Sequence, residues 1–147
     1  MRMVSRVASG LLAAVIGIGS MTAATRPGAL GFSVALPEHG QLAAQAQLVV
    51  KDVQVPSNRS AIFRMIAINA GSETFLGSFA VVGSSPDATG TTRHPEFRVN
   101  VTTTLANWLR THPGARTLEI RIEPVDGQRR VLKDMGWSAR EVFLEFR

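Results

Sequence analysis

Apolar and polar residues alternate in short runs along most of the chain. In the clearest run, residues 117–123, Leu118, Ile120 and Ile122 alternate with charged side chains. Alternation with a period of two residues is typical of a half-buried β-strand. The same kind of pattern, interrupted by turn-forming residues, predicts further strands. These cover residues 31–36, 47–55, 61–68, 75–82, 97–101 and 142–146.

The stretch 61–79 predicts a β-hairpin around which the rest of the chain is arranged. Its first half has apolar residues at both odd and even positions, which favours a strand in the middle of a sheet or one covered on both faces. The four residues 69–72, Asn-Ala-Gly-Ser, have the composition of a turn. In the second half, Gly77 suits a β-bulge or the close approach of another backbone.

One segment has a helical period. Leu105, Trp108 and Leu109 are spaced as on one face of a helix. The threonines at 102–104 can cap its start, and it ends at His112, which can face the last carbonyl groups of the helix. About seven short strands and one short helix predict a mainly β fold, an antiparallel β-sandwich.

The N-terminal 24 residues have the pattern of an export signal. Arg2 and Arg6 precede an uncharged run at 7–24 that is rich in small and aliphatic residues. This pattern predicts a signal peptide cleaved before Thr25, and therefore a secreted or periplasmic protein. The alternative is an uncleaved membrane anchor, because about 18 apolar residues approach the length needed to span a bilayer.

The remaining chain predicts a linker at 25–30 and one sandwich domain at 31–147. Cysteine is absent, which excludes disulfides, a thiolate nucleophile and a thiolate metal site. The formal net charge is +5, and removal of the two leader arginines leaves +3. The basic residues are scattered along the sequence without interleaved aromatic residues. We therefore expect no nucleic-acid binding.

The polar stretch 83–96 predicts a long loop, and we interpret it as the working surface. Loops of this length in a compact domain are usually functional or mobile. In this hypothesis Arg93 and His94 supply polar contacts to a partner, Pro95 supplies stiffness, and Trp137 is an exposed anchor. The alternative is a mobile loop, with Trp137 packed on the core beside the other tryptophan.

Candidate catalytic chemistry is sparse. His39, His94 and His112 are widely separated and have no partner at metal-ligand spacing. No G-x-S-x-G nucleophile elbow is present. We therefore predict a protein that is not an enzyme and needs no cofactor or metal. The alternative is a hydrolase or metalloenzyme built around His94, with Asp87 and Glu96 near it in the predicted loop.

The order of the patterned segments is itself informative. It runs through FSV (32–34), LVV (48–50), AIFRMIAIN (61–69), FLGSF (75–79), the predicted strand at 97–101, the helix at 105–109 and TLEIRIEP (117–124). This series resembles the C-terminal domain of polyphenol oxidases and tyrosinase-like proteins, over about 31–147. Plant members of that family carry a Lys-Phe-Asp-Val signature in the first hairpin strand. Here Phe63 is kept, and Arg64 stands at the position of the aspartate.

The resemblance implies an accessory domain without its enzyme. The catalytic type 3 copper domain of the family uses six histidine ligands, and this chain has three histidines. In the family the C-terminal domain packs over the copper domain and limits substrate access. The implied partner is a tyrosinase or polyphenol oxidase-like copper enzyme. Bacterial tyrosinase helper proteins compare less well, because they place a tyrosine in the copper pocket and this chain has none.

A second class of function stays open at this stage. The chain is equally compatible with a stand-alone secreted binding or structural module that keeps the fold but has no connection to copper.

Overall fold

The computed structural model describes residues 27–37 and 45–147. In these ranges it has seven strands and one helix: β1 (Leu30–Ala35), β2 (Ala46–Pro56), β3 (Ala61–Asn69), β4 (Ser72–Val81), β5 (Thr91–Asn100), α1 (Thr102–Thr111), β6 (Thr117–Val125) and β7 (Glu141–Phe146). All strand pairs are antiparallel and form two sheets, ordered β1-β6-β3-β4 and β5-β2-β7. The prediction of a mainly β, antiparallel sandwich with one short helix is confirmed.

Part of the sequence interpretation falls outside this region. The predicted signal peptide, its cleavage before Thr25, and His39 lie outside the described residues. Within the described ranges, no helix has the length and apolar character needed to cross a membrane.

The core lies between the two sheets, and the alternation of each strand determines which residues enter it. In β6, Leu118, Ile120 and Ile122 face inward and are almost completely buried. Directly opposite residues share one face of a sheet, so their partners on β1 face inward as well. The inner face of the second sheet contributes Leu48, Val50, Val53, Val55, Val142 and Leu144. Burial of these apolar side chains provides the main stabilisation of the fold.

The predicted central hairpin is confirmed as β3 and β4, with β3 in the middle of its sheet. The strand register shifts where Met65 pairs with Gly77 and Ile66 pairs with Phe75, so Leu76 is the additional residue of a β-bulge. Gly77 has φ = 155°, and a Cβ atom there would lie 2.6 Å from Val99 Cγ1. The bulge predicted at Gly77 is confirmed, while the group that approaches the glycine is the Val99 side chain of β5 and not another backbone.

Replacement of this glycine should destabilise the fold. The Gly77→Ala methyl group must displace Val99, whose β-branched side chain has little rotamer freedom. We expect a loss of about 1–3 kcal/mol in the free energy of unfolding, as measured by urea denaturation. Gly114→Ala is the control, since nothing lies within 4 Å of a Cβ atom at that position. Equal stability of the two variants would contradict this account of the bulge.

One strand end differs from the prediction. The run predicted at 117–123 continues in β6 to Val125, and Pro124 pairs with Phe63 of β3. A proline is tolerated here because β1 pairs with β6 only as far as Ile122. Beyond that point the Leu132 N–H group donates to the Pro124 carbonyl oxygen, a contact that needs no N–H group on Pro124.

The helix α1 is confirmed, although its cap differs from the prediction. The threonine side chains do not cap it; the Thr102 N–H group donates instead to Asn100 Oδ1 at 3.0 Å. His112 does face the end of the helix. Its Nδ1 atom lies 2.8 Å from the Trp108 carbonyl oxygen, and its ring stacks on the Trp108 indole at 4.0 Å.

Candidate functional site

The predicted working loop is shorter than the sequence indicates. Residues 91–96 belong to β5, and only residues 82–90 connect β4 to β5. Arg93, His94 and Pro95 therefore lie on a strand at the edge of the three-stranded sheet, not on a loop. An edge strand accepts polar side chains and proline because one side of its backbone has no neighbour in the sheet. Because the first half of β5 is polar, the hydrophobicity pattern does not identify it as a strand.

Arg93 is held by an ion pair. Its guanidinium donates to the Asp52 carboxylate, which also accepts from Arg140 just before β7. Asp52 has φ = 52°, and this turn of the backbone lets Val50 and Val53 both face the core. A single carboxylate on β2 thus links all three strands of the sheet. The Arg140 hydrogen bond, with the further contribution of Arg93, lowers the pKa of Asp52.

This ion-pair cluster predicts an acid-sensitive contribution to stability. Because the pKa of Asp52 is lower in the folded chain than the value of about 3.9 expected when unfolded, the carboxylate stabilises the fold above that pH. The contribution is lost as the pH falls through the folded pKa. Asp52→Asn, which still tolerates positive φ, should lower Tm at neutral pH and flatten the acid limb of a plot of Tm against pH.

The control for this prediction is Asp87→Asn, since Asp87 is exposed and makes no ion pair with a described residue. We expect it to leave both the neutral Tm and the acid limb unchanged. If Asp52→Asn and Asp87→Asn give the same curves, the Asp52 cluster does not contribute to stability.

His94 points toward the interior of the sandwich. It pairs with the buried Val53 of β2, and its ring centroid lies 5.5 Å from that of Phe97. Its Nε2 atom is buried and has no hydrogen-bond partner. The structure therefore places His94 half-buried at the edge of the core, and its role in polar contacts to a partner stays a prediction. The alternative was a metal site formed by His94 with Asp87 and Glu96. The structure does not bring these side chains together as ligands, because no group of three potential metal ligands occurs among residues 27–37 and 45–147.

A row of aromatic rings crosses the core from this histidine. Phe97 stacks on Phe79 at 4.4 Å, Phe79 stacks on Phe63 at 5.0 Å, and Phe63 meets Trp137 edge to face at 4.7 Å. Rings at these separations attract one another beyond the effect of their buried area. Phe63, the residue retained from the plant signature, is thus a central element of the core.

Trp137 is a core residue, and the prediction of an exposed anchor is wrong. Only 8% of it is exposed, and its indole N–H donates to the Gly28 carbonyl oxygen at 2.7 Å. The alternative of a core position is right, but its ring neighbour is Phe63 and not Trp108. Gly28, which falls in the predicted linker, is packed so closely that a Cβ atom would lie 2.7 Å from the Leu132 carbonyl oxygen.

A shallow, open depression lies where residues 28–30 meet residues 133–137. Its volume is about 270 Å³, and among the residues that the structure describes, its ionisable lining residues are Lys133 and Asp134. One ammonium and one carboxylate on an open surface do not form a recognisable catalytic arrangement.

A network of ion pairs lies buried on the outward face of the four-stranded sheet. From the alternation of apolar and polar residues alone, these charged side chains would be expected to face solvent. Arg121 and Glu123 of β6 are 2% and 1% exposed. Arg121 Nε donates to Glu123 Oε1 at 3.1 Å and its Nη1 to Glu73 Oε2 at 3.0 Å, while Arg64 binds the other oxygen of Glu123. The arginine that departs from the plant signature therefore neutralises a buried carboxylate.

Three large hydrophobic residues are exposed in the described part of the chain: Ile62 (42%), Phe75 (57%) and Val82 (82%). Ile62 and Phe75 lie on the outward face of the hairpin β3–β4, and Val82 directly follows the end of β4. We call these three residues the hairpin row. The sequence pattern places them in apolar runs without distinguishing them from core residues.

The outward face of the other sheet has a different chemistry. Lys51 and Arg98 both bind Glu96, and Arg98 also binds Glu145. Paired charges of this kind are typical of a solvated surface. The two outward faces therefore differ, and the hairpin row stands out as the exposed apolar surface.

With this geometry established, the chain can be compared with known proteins. No protein-family model matches the sequence, and no curated protein matches it significantly. Among the solved structures that match is a latent aurone synthase (polyphenol oxidase) from natural source, with a TM-score of 0.56 and 15% sequence identity. The match covers 80% of this chain and 24% of that chain. This chain shares its fold with part of a polyphenol oxidase.

The match supports the expected resemblance at the level of fold. This chain corresponds to about a quarter of the length of the aurone synthase. Its described histidines, His94 and His112, belong to different ring stacks, one at the edge of the core and the other at the end of α1. The features that stand out among the described residues are the hairpin row and the buried ion network of Arg121 and Glu123.

Proposed function

We propose that the protein is an exported, non-catalytic accessory protein that docks on a tyrosinase or polyphenol oxidase-like copper enzyme. The observation that carries the proposal is the fold match, which takes in 80% of this chain and only 24% of a polyphenol oxidase. A chain with the fold of one part of such an enzyme is suited to act on a separate chain that supplies the rest.

The side chains support a binding role over a catalytic one. Among the described residues, Glu123 is a carboxylate almost completely shielded from water, and it is held by two guanidinium groups instead of facing an open site. The exposed hairpin row, in contrast, has the chemistry of a contact surface.

On this proposal the protein covers its partner's substrate entrance or assists the partner's folding. The role corresponds to that of the C-terminal domain in the family that the sequence resembles. Export follows from the leader pattern, and we expect the mature N-terminus at Thr25. Recovery of a chain that retains Met1 from a membrane fraction would support the anchor instead.

The test uses the purified mature protein and a purified dicopper phenol oxidase encoded by the same organism. Alone, the protein should retain no stoichiometric copper after dialysis and should oxidise no phenol. Added to the oxidase, it should change the rate of phenol oxidation or the yield of active enzyme on refolding. Two tightly bound copper ions per chain would contradict the proposal. An oxidase unaffected in both assays would favour a stand-alone binding or structural module.

A further inference from the structure

We propose that the hairpin row and an adjoining basic rim form the docking surface, and that they fit a partner surface with an apolar patch bordered by carboxylates. The inference rests on the proposed function and names the surface that performs it. It replaces the surface expected from the sequence, since Trp137 is buried and Arg93 is paired.

The apolar part of the surface stands on a rigid base. Ile62 and Phe75 project from two strands that pair on both sides of the bulge at Leu76, and the ion network of Arg121 and Glu123 lies on the same face. Side chains held on a sheet lose little conformational freedom when a partner binds. Large hydrophobic residues in such positions make effective anchors.

A basic rim borders one end of the row. It consists of Arg59 and the turn 126–134, which contains Arg129, Arg130 and Lys133. The turn begins directly after Val125, the cross-strand partner of Ile62, and a 3.8 Å contact between Arg59 and Asp134 joins the two parts.

The charge of this rim selects the partner chemistry. Its four cations outnumber its two carboxylates, which leaves a net charge of +2. Both carboxylates are occupied, Asp126 by Arg130 and Asp134 by Arg59. Arg129 and Lys133 are exposed and make no ion pair with a described residue. A partner surface with carboxylates around its apolar patch complements this arrangement and is steered toward it.

A second copy of this chain is a poorer occupant. The basic rim has a net charge of +2, so two copies brought together at their rims would repel each other. The other end of the row offers no acidic border, because Glu73 there is bound to Arg121. The copper oxidase of the proposed function is therefore the occupant to test.

The experiment measures binding of the purified protein to the immobilised dicopper oxidase of the same organism. The row variant combines Ile62→Thr, Phe75→Ser and Val82→Thr, and the rim variant combines Arg129→Glu and Lys133→Glu. We expect each to weaken binding at least ten-fold. The wild-type Kd should rise with salt, and this salt dependence should be reduced in the rim variant.

The control is Arg98→Ser on the outward face of the other sheet, which should bind as the wild type does. Circular dichroism and Tm verify folding, and Phe75→Ser alone replaces the triple variant if that variant has lost its fold. Wild-type binding that the row and rim variants leave unchanged would overturn the assignment of the surface and leave the proposed function standing. No wild-type binding would overturn both. A dimer of this chain that the row variant dissociates would identify a second copy as the occupant.

Discussion

Truncation of Trp137 to alanine should lower the free energy of unfolding by about 3–5 kcal/mol, the range for large aromatic truncations in a core. The substitution removes the edge-to-face contact with Phe63 and the hydrogen bond to Gly28. Trp137→Phe should cost less, because it keeps a ring beside Phe63 and leaves only the Gly28 carbonyl oxygen without its donor. Urea denaturation followed by circular dichroism measures both.

Phe75→Ala is the matched control for this prediction. It removes an aromatic side chain that is 57% exposed, so we expect a loss below about 1 kcal/mol. If Trp137→Ala costs no more than Phe75→Ala, the indole is not a structural element of the core and the exposed-anchor hypothesis regains its basis.

Glu123→Ala should be comparably destabilising, by about 3–5 kcal/mol, because it leaves the buried Arg121 guanidinium without one of its two counterions. Arg121 would keep only Glu73, and Arg64 would lose its partner. Equilibrium unfolding in urea is again the measurement. The double variant Arg121→Met with Glu123→Leu should recover much of the loss, since it replaces a buried ion pair by apolar side chains of similar volume.

Glu96→Ala provides the comparison on the opposite outward face. Glu96 binds Lys51 and Arg98 in a partly exposed setting, where ion pairs contribute little to stability, so we expect a much smaller loss than for Glu123→Ala. Equal losses for Glu123→Ala and Glu96→Ala would show that the network on the four-stranded sheet is solvated and not buried.

The strands could be predicted where their pattern was simple. Leu118, Ile120 and Ile122 alternate with charged residues, and one face of β6 enters the core as this alternation requires. Gly77 was identified because a glycine inside a strand usually marks a bulge or the close approach of another chain segment. The helix was predicted from the spacing of Leu105 and Trp108, both of which are buried.

The predictions that were wrong concern features that depend on contacts between residues far apart in sequence. The first half of β5 is polar and contains Pro95, so only its pairing with β2 reveals it as a strand. Burial of Trp137 depends on Phe63 and Gly28, which are far away in sequence.

The candidate docking surface was missed for a related reason. Ile62 and Phe75 belong to apolar runs that a sequence pattern assigns to the core. Their exposure follows from the register of the hairpin and from the bulge at Leu76. The two-residue period of β3 places Ile62 and Phe63 on opposite faces of the sheet. This period is the sequence signal that could have indicated the exposure of Ile62. The sequence alone does not show which face of the four-stranded sheet is covered by the three-stranded sheet.

The central claim is that this protein docks on a copper phenol oxidase, and the most direct measurement is the mass of the mixture. Size-exclusion chromatography with light scattering is applied to the mature protein together with the purified dicopper oxidase of the same organism. The account predicts a co-eluting complex with the summed mass of the two chains, which the row variant fails to form. Elution of both proteins at their separate masses, at concentrations where each is folded, would contradict it.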